Sequence, residues 1–161
     1  MSQAAPFLPH RHDHASCVAD ALEVADRVCS EKGSRLTPIR RRVLELVWSS
    51  HRPVGAYDIL ASLQVDGRSA APPTVYRALE FLMEHGLVHR IESLNAFVGC
   101  ADPSEHHSGQ FFICENCRSA AEVTDPRVAE ALSNCAERLG FAVKSQTVEF
   151  RGLCPACSAA A

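Results

Sequence analysis

The 161 residues carry 47% hydrophobic side chains, enough for one ordinary domain or two small ones with a packed core. No apolar run approaches the roughly 18–20 residues of a membrane-spanning helix, and the N-terminal segment holds His and Asp where a signal peptide would be apolar, so a soluble, cytoplasmic chain with no membrane partner is expected. The net charge of -3 is uneven: residues 1–90 hold 11 Lys+Arg against 10 Asp+Glu and residues 91–161 hold 5 against 9, so any nucleic-acid contact belongs to the first half and must rest on local clusters.

Residues 1–16, with Pro6, Pro9 and the run His10-Arg11-His12-Asp13-His14, show no helical or strand period and are expected to be a disordered arm. An auxiliary metal site in that run is the competing possibility. From Cys17 to Lys32, Val18, Ala21, Leu22, Ala25, Val28 and Cys29 recur at three and four residues, which predicts an amphipathic helix ended by Gly33. Cys17 and Cys29 have no partner at ligand spacing and are expected to be small packed side chains. Thr37-Pro38 predicts an N-cap and first helical residue, followed by a helix to about Ser50 with Ile39, Val43, Leu46 and Val47 inward. Its other face carries Arg40, Arg41 and Arg42, which suit either a solvated surface or phosphate contact.

A short third helix is expected over Ala56–Gln64, and a fourth over Thr74–His85 with Val75, Ala78, Leu79, Leu82 and Met83 buried and Gly86 as the stop. Leu87–Ser93 and Ala96–Gly99 alternate like a hairpin. Helices followed by a hairpin make a winged helix over 17–99, in which the fourth helix enters the major groove and Arg77 reaches guanine or phosphate. Residues 100–109 are expected to be a hinge. The α+β pattern continues over 110–158 with strands Gln110–Ile113 and Ala120–Thr124, a helix Pro126–Leu139, and a strand Phe141–Phe150.

Eight cysteines in a reducing compartment point to metal rather than disulfides. Cys114-x2-Cys117 and Cys154-x2-Cys157 have the two-pair pattern of a closed, tetrahedral four-cysteine zinc site. A thioredoxin-like use of CxxC would need a βαβ setting, which the pattern lacks. His89, Cys100, His107 and Glu122 are weaker candidates by spacing alone, since a lone His or Glu is usually an ordinary surface or core side chain.

The run Thr37-Pro-Ile-Arg-Arg-Arg-Val-Leu, the run Ala71-Pro-Pro-Thr-Val-Tyr-Arg-Ala-Leu-Glu-Phe-Leu, the His/Cys set and both CxxC pairs together resemble the ferric uptake regulator family, specifically its zinc uptake regulator branch, over about residues 17–158. The resemblance implies an N-terminal winged-helix DNA-binding domain and a C-terminal α/β dimerisation domain. It implies two zinc ions per chain, a structural one on Cys114, Cys117, Cys154 and Cys157 and a regulatory one on His89, Cys100, His107 and Glu122. It also implies DNA contacts by Arg77 and Tyr57, a homodimer, and a palindromic double-stranded operator. Iron-type members carry a His three residues before the first CxxC; Phe111 stands there, so a third site of that kind is not expected.

A thiolate beside imidazoles favours zinc over Fe(II) or Mn on chemical grounds alone. The function implied is a zinc-responsive repressor of zinc-uptake genes. The alternatives are an iron- or peroxide-responsive member of the family and a thiol redox sensor built on the CxxC pairs. An open zinc site that activates water would make an enzyme, but there is no His-Glu-x-x-His helix and no conspicuous general base, so neither catalysis nor a small organic substrate is expected.

Overall fold

The computed structural model describes residues 7, 14–103, 107 and 109–160. The chain divides into two compact units, Leu8–His106 and Met1–Phe7 with His107–Ala161. Among the described residues, no helix is long and apolar enough to cross a membrane.

The first unit holds α1 (His14–Glu31), α2 (Pro38–Trp48), α3 (Ala56–Val65) and α4 (Pro72–Glu84), then β1 (Val88–Ile91) and β2 (Ala96–Gly99). Prolines open α2 and α4, where a missing N–H costs nothing because the first turn has no acceptor for it. The apolar stripes meet in one core: Ala25 and Cys29 of α1, Val43, Leu44 and Val47 of α2, Ile59 and Leu63 of α3, Val75, Leu79 and Leu82 of α4. Each fully buried Leu, Ile or Val contributes about 1.5–3 kcal/mol relative to exposure.

The strands pair antiparallel, with His89 opposite Val98 and Ile91 opposite Ala96. Asn95 closes the hairpin at φ 47, a left-handed position that Asn tolerates. Val54, between α2 and α3, exchanges both backbone hydrogen bonds with Phe97, at 2.9 and 2.8 Å, and ties the wing to the helices.

His14, Ala15 and Ser16 form the first turn of α1 rather than part of an arm, because His14 packs its ring on His51, with centroids 4.7 Å apart, outside the apolar period. The remainder of the predicted arm, including His10 and His12, lies outside the described residues. The fourth helix begins at Pro72 rather than Thr74, since both prolines adopt the helical first turn.

The second unit is a three-stranded sheet in the order β4-β3-β5, with β3 (Gln110–Cys114), β4 (Ala120–Val123) and β5 (Val148–Gly152). β3 pairs antiparallel with β4 and parallel with β5. α5 (Pro126–Arg138) starts at Asp125, whose carboxylate accepts the Arg127 amide, and α6 (Pro155–Ser158) follows β5. The strand expected over Phe141–Phe150 is displaced: only Val148–Gly152 pairs, and residues 141–147 are not strand. β-branched alternation favours extended backbone, but parallel pairing to β3 is set by the far partner and selects only the last stretch.

Buried apolar side chains are few in this unit: Phe111, Ile113 and Ala121, together with Cys114, Cys154 and Cys157. α5 buries no residue, and Leu132, Leu139, Phe141, Val143 and Leu153 are exposed, as are Phe112 and Phe150, which stack at 4.7 Å.

Candidate metal centres and nucleic-acid interface

Two tight turns aim the four cysteines at one point. Cys114 ends β3 and Cys117 follows in a turn closed by the Arg118 amide donating to the Cys114 carbonyl at 2.9 Å, with Arg118 at φ 60. Cys154 is the N-cap of α6 and Cys157 lies on that helix. The Glu115 amide donates to the Gly152 carbonyl at 2.8 Å, which locks the two turns together. All four sulfurs fall within 4.8 Å of one another, and Cys117 Sγ is 3.8 Å from Cys154 Sγ. A tetrahedral zinc ion with bonds of about 2.3 Å to sulfur requires sulfur–sulfur edges of about 3.8 Å, so the residues fit that ion.

The electrostatics agree with the geometry. Burial pushes the Cys114 thiol up, but the backbone amides of Cys154, Cys117 and Asn116 outweigh it and bring it down to about 6. Burial likewise opposes the Cys117 thiolate, and the Ser119 hydroxyl and amide more than offset it. Cys157 moves the other way, pushed up to about 12 by its hydrogen bond with Cys154 and by burial. The first turn therefore presents two thiolate-prone sulfurs, the form in which cysteine ligates a metal ion. Ser119, which stands 2.7 Å from Cys117 Sγ, is a participant that spacing rules did not identify; its only sequence signal is its place two residues after the CxxC.

Within the second unit, His107 Nε2 lies 2.7 Å from Glu122 Oε1. Glu122 sits on β4 opposite Phe111, and it is buried. Gly109 makes room for this arrangement: a Cβ there would collide with the Phe111 ring and come within 3.1 Å of Glu122 Oε1. Within the first unit, His89 on β1 and Cys100, directly after β2, place ligand atoms within 4.8 Å of each other. Cys100 is buried, and its amide donates to the Leu87 carbonyl at 3.0 Å, which fixes its position at the foot of the wing. Gly99 lets the Trp48 indole lie against the strand there, since a Cβ would meet the ring. Each pair offers donors suited to zinc, imidazole with thiolate in one unit and imidazole with carboxylate in the other.

Tyr57, in the first turn of α3, is 71% exposed. Arg77 projects from the exposed side of α4 beside Tyr76, off the buried stripe. The arginine cluster on α2 is occupied within the chain. Arg40 donates to the Arg35 carbonyl and lies 3.5 Å over the Phe81 ring, Arg41 pairs with Asp26 at 2.6 Å, and Arg42 pairs with Asp66 and Glu45 at 2.7 and 2.9 Å. These contacts connect α2 to α1, α4 and the α3–α4 loop; Glu45 and Arg35 are near neighbours in the chain, whereas Asp26, Asp66 and Phe81 lie too far along it to be seen by local pattern.

The model of the Ferric uptake regulator family matches residues 31–151. The zinc uptake regulation protein of Escherichia coli (strain K12) is 38% identical over 139 residues, 86% of this chain and 81% of that protein. Among solved structures, a zinc uptake regulator complexed with zinc and DNA superposes with a TM-score of 0.85 at 37% identity, covering 89% of this chain and 96% of that one. The holo form of XcZur gives 0.81 at 48% identity, covering 87% and 98%. The chain belongs to the ferric uptake regulator family.

Proposed function

We propose that this chain is a zinc-responsive, DNA-binding transcriptional repressor of zinc-uptake genes, acting in the cytoplasm, with zinc as co-repressor. The observation that carries the proposal is the presence of two donor couples in different compact units, His89 with Cys100 and His107 with Glu122. On this account the four ligate one regulatory zinc, and residues 100–109, of which 104–106 and 108 lie outside the described residues, are the hinge. A second zinc on Cys114, Cys117, Cys154 and Cys157 supplies folding free energy to a unit with a sparse apolar core. Similarity to a zinc uptake regulator complexed with zinc and DNA supports both the metal and the partner.

The exposed apolar side chains of α5 and residues 139–153 suit burial against a second copy, and a homodimer presents two α4 helices to a palindromic operator. Arg77 and Tyr57 are the proposed DNA contacts. Zinc and DNA strengthen each other's binding by one common factor, because any preference of the ion for the DNA-competent form is reciprocal. The ligand sets are used for sensing and folding rather than for catalysis.

Zinc counting with mild chelation tests the two-site assignment. Two ions per chain, one exchangeable, is the expected result, and a single tightly held ion would refute it.

A further inference from the structure

His14 and His51 are used neither by the proposed zinc sites nor by the DNA contacts. His14 opens α1, His51 lies in the connection between α2 and α3, and their ring centres stand 4.7 Å apart with planes inclined by 46°. His14 Nδ1 and His51 Nε2 are both enclosed away from solvent. With metal–nitrogen bonds of about 2.1 Å and N–metal–N angles of about 90–110°, two imidazoles on one ion place their ring centres about 4.5–5.3 Å apart. The observed separation falls within that interval, and the inclined planes are not those of a stacked pair.

We propose that His14 and His51 form an additional, imidazole-only site for a borderline divalent ion of the Ni(II) or Zn(II) type. Such ions take neutral imidazole nitrogen readily, whereas Mg(II) and Ca(II) require oxygen. The two ligands are 37 residues apart and within one unit, so the ion cross-links the start of α1 to the α2–α3 connection of the DNA-binding half. The site is weaker and more exchangeable than a closed four-cysteine shell. It depends on neither zinc site described above.

The test uses the full-length protein carrying two zinc ions per chain and freed of excess metal, dialysed against increasing Ni(II) with both metals counted per chain. One extra nickel at unchanged zinc is expected. His14→Ala and His51→Gln should each weaken that uptake at least ten-fold while circular dichroism and zinc content stay at the parent values. The His10→Ala/His12→Ala double variant should keep the extra ion, and the imidazole ¹⁵N resonances of His14 and His51 should be the ones that broaden away on the paramagnetic nickel. No extra ion, an extra ion retained by both single variants, or one lost only in the double variant would overturn the assignment.

Discussion

Nε2 of His107 stands 2.7 Å from Oε1 of Glu122, and both side chains are largely shielded, at 11% and 7% exposure. A carboxylate taken out of water needs a compensating positive or donor group, and the imidazole is that group here. The same two atoms suit a metal ion, so Glu122 is poised between a histidine partner and a cation.

Replacing Glu122 by Gln keeps shape and volume but removes the anionic oxygen. Affinity at the exchangeable zinc site should fall by more than the roughly 10–100-fold typical of losing an outer-shell partner, with the four-cysteine ion retained. Competition against a chromophoric chelator measures this, and unchanged affinity would remove Glu122 from the ligand set.

Cys114→Ser should release the other ion. Structural zinc in small peptides contributes apparent free energies of about 10–16 kcal/mol, and half of the buried apolar positions among the described residues of this unit are its cysteines. The strand signal in circular dichroism should collapse while the helical unit, with its separate core, stays folded. Full zinc content in the variant would contradict the assignment.

Gly99→Ala should destabilise the DNA-binding unit by about 1–3 kcal/mol, the usual cost of forcing a methyl into packed surroundings, because the Cβ would meet the Trp48 ring. Trp48 is the sole tryptophan, so urea unfolding followed by its fluorescence reports the change directly. A midpoint equal to that of the parent would mean the indole moves aside freely.

Arg77→Ala should weaken operator binding by about 1–3 kcal/mol, the discrimination carried by one good base contact, without shifting the melting temperature, since Arg77 is exposed and off the core stripe. Tyr57→Phe tests the hydroxyl alone. Competition binding against mismatched duplexes shows whether Arg77 reads a base, in which case the variant loses discrimination, or a phosphate, in which case all sequences weaken equally.

The helices were legible because their apolar positions recur at three and four residues, as in Val75, Ala78, Leu79 and Leu82, all of which are buried. The CxxC pairs were legible because a turn that aims two thiolates is a local device. What the sequence hid is non-local. Parallel pairing of β5 with β3 joins Gln110 to Val148, and nothing within residues 141–150 marks where that register begins. Arg41 and Arg42 find acids 15 and 24 residues away, in α1 and in the α3–α4 loop, pairings that a run suited to either a solvated surface or phosphate contact does not reveal. His14 joined α1 through His51, a contact invisible to any periodicity. The roles of His89, Cys100, His107 and Glu122 came from family resemblance rather than from spacing.

The central claim, that zinc at those four residues sets DNA affinity, is tested most directly by fluorescence anisotropy of an operator duplex, selected from a randomised pool, against buffered free zinc. Protein retaining its four-cysteine ion should bind the operator about 5–150-fold more tightly when zinc is replete than when it is chelated, the range of ordinary coupling energies. The Cys100→Ser variant should be locked at the weak limit. Equal operator affinity with and without exchangeable zinc would contradict the account.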